Sequence, residues 1–207
     1  MSLAERRARD RAARRSLITT TARTLAEQEG WDAVTTRRLS NEIEYSQPVL
    51  YKHFASMEEI ADAVALEGFA ELAETLRAAR RGSGQPHEKL TRAAHAYINF
   101  AGENPALYDA MFTRATRLPF GARDRPAPLS AAFAELRETV TAVARGRDID
   151  TLTEVTWAAL HGLVTLARNN RLRPSLDDER VQILVAALSD AGPEKSDPSP
   201  ESDTLAT

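Results

Sequence analysis

The residues of this chain best suited to recognition chemistry lie close together: Arg37 and Arg38, then Gln47, Tyr51, Lys52 and His53. A glutamine can pair with an adenine edge through two hydrogen bonds, lysine and histidine can reach phosphate or guanine, and a tyrosine hydroxyl can hold a phosphate oxygen. That is the chemistry of duplex DNA binding. Catalytic chemistry has less to work with. The sequence contains no cysteine, which removes disulfides, thiolate metal sites and a cysteine nucleophile. The carboxylate runs Glu58-Glu59 and Asp177-Asp178-Glu179 and the histidines His87, His95 and His161 show no His-Glu-x-x-His spacing, nucleophile elbow or phosphate loop. Such carboxylates are more simply read as acidic groups at helix N-termini, where the dipole favours them. No enzyme activity, metal or cofactor is expected.

The recognition residues need short helices to carry them. Leu17, Ile18, Ala22, Leu25 and Ala26 recur at helical spacing, so a first helix is predicted over 16–29, closed by Gly30. Thr35 or Thr36 can cap a short second helix whose Leu39 and Ile43 face inward, and Glu44-Tyr45-Ser46 reads as a tight break. Ser46 can cap a third helix, with Pro48 in its first turn, where a missing N–H does no harm. Ser56 and Glu59 form a capping box for a fourth helix running to about position 80. Two helices joined by a short turn, the second short and polar, form the arrangement that places a helix in the major groove. Leu39, Leu50 and Phe54 fall on the shared apolar face and are expected in the core. Tyr51 can be partly core, and Thr36 either a cap or a contact.

Gly82-Ser83-Gly84-Gln85-Pro86 is the clearest internal linker. Beyond it, helices are predicted over 87–102, 105–117, 128–145, 150–172 and 177–191, with no segment alternating at period two. The fold class is therefore all-α, with an N-terminal three-helix helix-turn-helix head joined by a long helix to a C-terminal helical domain. The domain boundaries expected are 1–57 for the DNA-binding head, 58–191 for the helical body and 192–207 for a disordered tail of Pro, Ser, Asp and Glu.

The run Thr35-Thr36-Arg37-Arg38-Leu39, followed by Gln47-Pro48-Val49-Leu50-Tyr51-Lys52-His53-Phe54, resembles the DNA-binding signature of TetR-type regulators over residues 14–65. The resemblance implies that Thr36 and Arg37 touch DNA from the second helix, and that Gln47, Pro48, Val49, Tyr51, Lys52 and His53 do so from the recognition helix. It also implies a homodimer on double-stranded DNA, with a small-molecule effector, not identified, that releases a repressor from a palindromic operator as the family's common case. The stretch 156–164 is similar to the end of one C-terminal domain type in such regulators. Two positions depart from the pattern. Glu44 stands where the family turn carries glycine, so a left-handed backbone there would cost about 1 kcal/mol. Met57 stands where the family places a phosphate-binding lysine, a loss that an arginine-rich N-terminal arm can offset.

Net charge is only −3, but its distribution is polarised. Arg6, Arg7, Arg9, Arg11, Arg14 and Arg15 face only Glu5 and Asp10, whereas acidic residues dominate the C-terminal end. No apolar stretch is long enough to span a membrane, and a cytoplasmic location is expected. In the second half, Tyr97, Phe100, Met111, Phe112, Phe133, Trp157 and His161 are candidates to line an effector cavity, with Tyr108, Phe120, Asn99 and Thr116 alongside. An aromatic set at helical spacing serves plain core equally well. Trp157, Leu160, Val164 and Ala167, with Val181, Leu184, Val185 and Leu188, form two apolar stripes that either meet a second copy or are buried within one chain. The alternative to a regulator is a helical adaptor that binds another protein through these stripes.

Overall fold

The structure, a computed structural model, describes residues 2–114, 118–119 and 126–190, and every regular element among them is a helix. The first helix, α1 (Leu3–Glu29), begins well before the predicted position 16. Its arm contains no apolar periodicity to detect. Alanine and arginine are strong helix formers, and the Ser2–Glu5 capping box satisfies the first orphan N–H groups. A 3-10 turn (Trp31–Ala33) leads to α2 (Thr36–Glu42) and α3 (Gln47–His53). Ile18, Ala22, Leu25, Leu39, Leu50 and Phe54 close the core of this head, as their apolar spacing predicts.

The long helix α4 (Met57–Arg81) is the spine of the molecule, capped by the Ser56 hydroxyl accepting from the Glu59 N–H. It packs against α1, α5 (Pro86–Glu103), α6 (Pro105–Asp109) and α7 (Ala127–Thr141). The predicted helix over 105–117 is instead a short α-helix passing into a π-helical turn, Ala110–Arg114, while 115–117 lie outside the described residues. That turn lies against Gly68, where an added Cβ would come within 2.7 Å of the Met111 sulfur. The glycine lets the turn seat directly on the spine.

The body is completed by α8 (Ile149–Arg168), shorter than predicted, and α9 (Asp177–Asp190), whose predicted last position, 191, lies outside the described residues. α7 ends at Thr141 and α8 at Arg168, each about one turn before the expected position, and the turns that follow carry Arg145 and Asn170 in the left-handed region, at φ 48° and 54°. The carboxylate runs do lie in first helical turns, Glu58 and Glu59 in α4 and Asp177, Asp178 and Glu179 in α9. Most of the two stripes is buried: Leu160, Val164, Val181, Val185 and Leu188 pack inside one chain, while Trp157 and Leu184 are half-buried and Ala167 is exposed, with α8 and α9 both resting on α5. A different apolar face is left outside, with Val155 and Leu166 on α8 and Ile183 on α9, the last 65% exposed. Thr116, Phe120 and the acidic tail 192–207 lie outside the described residues.

Candidate nucleic-acid interface and helical cavity

The turn between α2 and α3 is held by Glu44 in the left-handed region, at φ 55°. This is the conformation that glycine adopts most easily, and a side chain there is strained. The turn orients α3 so that Leu50 points into the core while Gln47, Pro48, Tyr51 and Lys52 face outward. Tyr51 is 54% exposed, although its ring is apolar and its neighbours Leu50 and Phe54 are buried. Val49 and His53 sit on the flanks, half-buried.

On α2 the structure separates residues that the sequence leaves together. Thr35 is the cap, its hydroxyl accepting from the Arg38 N–H at 3.1 Å, which frees the Thr36 side chain. The Thr36 hydroxyl lies 3.5 Å from that of Tyr51, so two hydroxyls from two helices converge on one spot. Arg38 is occupied by Glu29 at 3.0 Å and Glu42 at 3.1 Å. Arg37 is exposed and, among the described residues, pairs with no carboxylate. An outward guanidinium and a converging hydroxyl pair beside an exposed helix face are the parts needed to grip a phosphate backbone and read base edges.

The far end of α3 is clamped by α1. Arg15 donates to the His53 carbonyl oxygen, its guanidinium lies 3.8 Å from the Phe54 ring centroid, and it pairs with Glu59 at 3.4 Å. The spacing of Arg15 gave no sign of this role, because all its partners are remote in sequence. Burial, and then the nearby Arg14, Arg11, Arg15 and Lys52, lower the His53 pKa, and its Nδ1 is buried without a partner. His53 is thus neutral at pH 7. Met57 packs on the head core instead of offering a charge.

Residues 18–64 match the family model described as bacterial regulatory proteins, tetR family, and residues 90–190 match that of the tetracyclin repressor-like C-terminal domain. An uncharacterized HTH-type transcriptional regulator of Mycobacterium tuberculosis is 30% identical over 158 residues, covering 73% of this chain and 69% of the relative. This chain belongs to the TetR family. The TetR fold is shared with solved structures at lower identity. A protein of unknown function from Rhodococcus sp. RHA1 is 24% identical, with a TM-score of 0.66 over 84% of this chain and 92% of that one. RolR in complex with resorcinol is 20% identical, with a TM-score of 0.63 over 87% of this chain and 88% of that one.

The body of this TetR-family chain holds a cavity of about 410 Å³ between α4, α5, α7 and α8. Tyr97, Phe133 and Trp157 line it, with Phe69 and Leu76 from α4 and Leu129, Ala132 and Leu136 from α7. A wider groove of about 560 Å³ between α5 and α9 includes His87, Arg145 and Asp190 and is a less apolar lining. Of the other sequence candidates, Phe112 and His161 stand in ring contact with Trp157, behind the wall. Phe100 is buried away from this cavity, beside a groove between α4 and α5, and Met111 packs on Gly68. A hydrogen-bonded chain leaves the wall: the Tyr97 hydroxyl is 2.9 Å from that of Tyr108, which is 2.7 Å from His161 Nδ1. Burial pushes the Tyr97 hydroxyl up to about 12, raises Tyr108 and lowers His161, so all three are neutral at pH 7.

Proposed function

We propose that this chain is a homodimeric repressor that binds a palindromic operator in the cytoplasm and is released when a small molecule enters the cavity. The observation that carries this reading is the outward face of α3, on which Gln47, Pro48, Tyr51 and Lys52 stand exposed beside Thr36 and Arg37. Gln47 and Lys52 read or hold base edges and phosphate, Thr36 and Tyr51 share one phosphate, and Val49 and His53 flank the contact. The division of labour follows the expected boundaries, residues 1–57 for DNA and 58–191 for effector and partner.

Effector action needs a path from cavity to head. α4 supplies Phe69 and Leu76 to the wall and begins at the head, so a ligand that displaces it moves α3. A second link runs through α6: the Glu27 carboxylate accepts from the Ala106 and Leu107 N–H groups at 3.0 and 2.9 Å, and the Trp31 indole N–H donates to the Ala106 carbonyl at 2.8 Å. Release requires that the effector bind the two states unequally. RolR was solved with resorcinol, and a small, largely apolar ring compound is the kind of ligand the aromatic wall here would take.

The test is a titration of the protein into duplexes from its own upstream region and a scrambled control, at two salt concentrations, beside Tyr51→Ala. Tight, salt-sensitive binding to one upstream duplex, weakened at least tenfold by the substitution, is expected. Equal binding to upstream and scrambled duplexes, unaffected by Tyr51→Ala, would overturn the reading.

A further inference from the structure

The first twelve residues of α1, 3–14, extend beyond the head and are all exposed. The extension lies outside the segment matched by the family model, which begins at residue 18. It carries Arg6, Arg7, Arg9, Arg11 and Arg14, none of which pairs with a carboxylate among the described residues. Of its two acids, Glu5 is spent on the capping box with Ser2, and only Asp10 remains.

This charge placement does nothing for the helix itself. Cations near a helix N-terminus oppose the macrodipole, and like charges three or four residues apart repel. Arg7 and Arg11 are four apart and share one face with Ala4, Ala8 and Ala12, small residues that keep that face open to close approach. The extension is also fixed in direction. Arg15, at its root, is stacked on Phe54 and bonded to the His53 carbonyl, so the arm leaves from the C-terminal end of the recognition helix. Arg11 and Arg14 lie near enough to His53 to depress its protonation. The positive charge of Lys52 therefore continues without a break into the arm, which reaches about 18 Å beyond its root at 1.5 Å per residue.

We propose that residues 3–15 are a second DNA-binding element, a basic helix that lies along the sugar-phosphate backbone beside the half-site read by α3. The proposal rests on the DNA-binding reading above and adds the arm to it. A helix that neutralises phosphates without touching bases raises affinity for every sequence alike and steepens the salt dependence by about 0.9 per phosphate engaged.

The experiment compares the full chain with a quadruple variant, Arg6→Gln, Arg7→Gln, Arg9→Gln and Arg11→Gln, and with the corresponding quadruple lysine variant. Glutamine and lysine are both good helix formers at exposed positions, and unchanged far-UV circular dichroism checks the fold. Dissociation constants are measured on the upstream and scrambled duplexes from 50 to 300 mM NaCl. The glutamine variant is expected to weaken on both duplexes by a similar factor of ten or more at low salt, with a log–log slope shallower by about two to four. Its ratio of specific to scrambled binding should stay as it is, and the lysine variant should bind like the parent. An unchanged slope in the glutamine variant, with specific binding intact, overturns the arm alone. A lysine variant as weak as the glutamine one overturns backbone contact by charge. Loss of sequence preference in the parent overturns the regulator reading while leaving the arm's effect on scrambled DNA measurable, and a parent that binds no DNA overturns both.

Discussion

Glu44 holds φ at 55° in the turn on which the orientation of α3 depends, and nothing but backbone demands it there. Replacing it with glycine removes the steric penalty of a side chain in the left-handed region, about 1 kcal/mol, against a smaller entropic loss in the unfolded chain. Glu44→Gly should therefore raise Tm by about 1–2 °C with operator affinity unchanged, as differential scanning calorimetry and the duplex titration would read. A lowered Tm would mean that the glutamate makes a compensating contact. At this scale much of the interface was legible, because Leu39, Leu50 and Phe54 mark the inward face by type and so leave Gln47, Tyr51 and Lys52 outside. What was not legible was which of two adjacent arginines is free. Arg38 is held by Glu29 on α1 and Glu42 one turn away, a choice that depends on how α1 crosses α2. Arg15 was hidden for the same reason, since its carbonyl and ring partners come from the end of α3 and its carboxylate partner from the first turn of α4.

Between elements, the firmest polar tie in the body joins the two helices that flank the cavity. Glu135 of α7 is buried and receives Arg77 at 2.7 Å and Arg80 at 3.0 Å, both from the last turns of α4. Burial would raise the Glu135 carboxyl, but the hydrogen bonds from Arg77 and Arg80 outweigh it and hold the group below its ordinary value. A depressed folded-state value means that the unfolded chain binds the proton more readily. The stabilisation is therefore complete above the ordinary carboxylate range and is lost as pH falls through the folded value. Glu135→Gln should cost about 1–3 kcal/mol at pH 7, measured by urea unfolding, and the gap to the parent should narrow as pH falls below the ordinary carboxylate range and through the folded value. A gap that does not change with pH as the carboxylate protonates would assign the loss to shape instead of charge. From the sequence, Glu135 is one more charge on a helix of mixed polarity, and only the packing of α7 on α4 turns it inward. Helix count and order were readable from apolar periodicity, while the ends were set by local chemistry that periodicity does not contain. The Ser2–Glu5 box starts α1 early, and Asn170, in the left-handed region, marks the early end of α8.

For the whole molecule, two recognition helices must reach successive major grooves about 34 Å apart, which a single chain with one head cannot do. The apolar stripes that the sequence offers for pairing are mostly buried inside the chain, since amphipathic periodicity marks an apolar face without saying what covers it. An apolar face is left open along α8 through Val155, Ala158 and Leu166, with the half-buried Gly162 between them, and α9 separately exposes Ile183. Exposed large apolar side chains on these two helices mark an interaction surface, and a two-fold contact is the simplest one that supplies a second head. Ile183, being 65% exposed, can be changed without disturbing the core of one chain. Ile183→Asp, combined with Leu166→Asp, places four carboxylates across a two-fold interface and should convert a dimer into a folded monomer by analytical ultracentrifugation at micromolar concentration. Because each half-site is then bound singly, operator affinity should fall by about 10²–10⁴-fold while binding to an isolated half-site is unchanged. A variant that remains dimeric with full operator affinity would move the two-fold contact to another face, and with it the route by which a ligand between α4 and α7 alters the spacing of the heads.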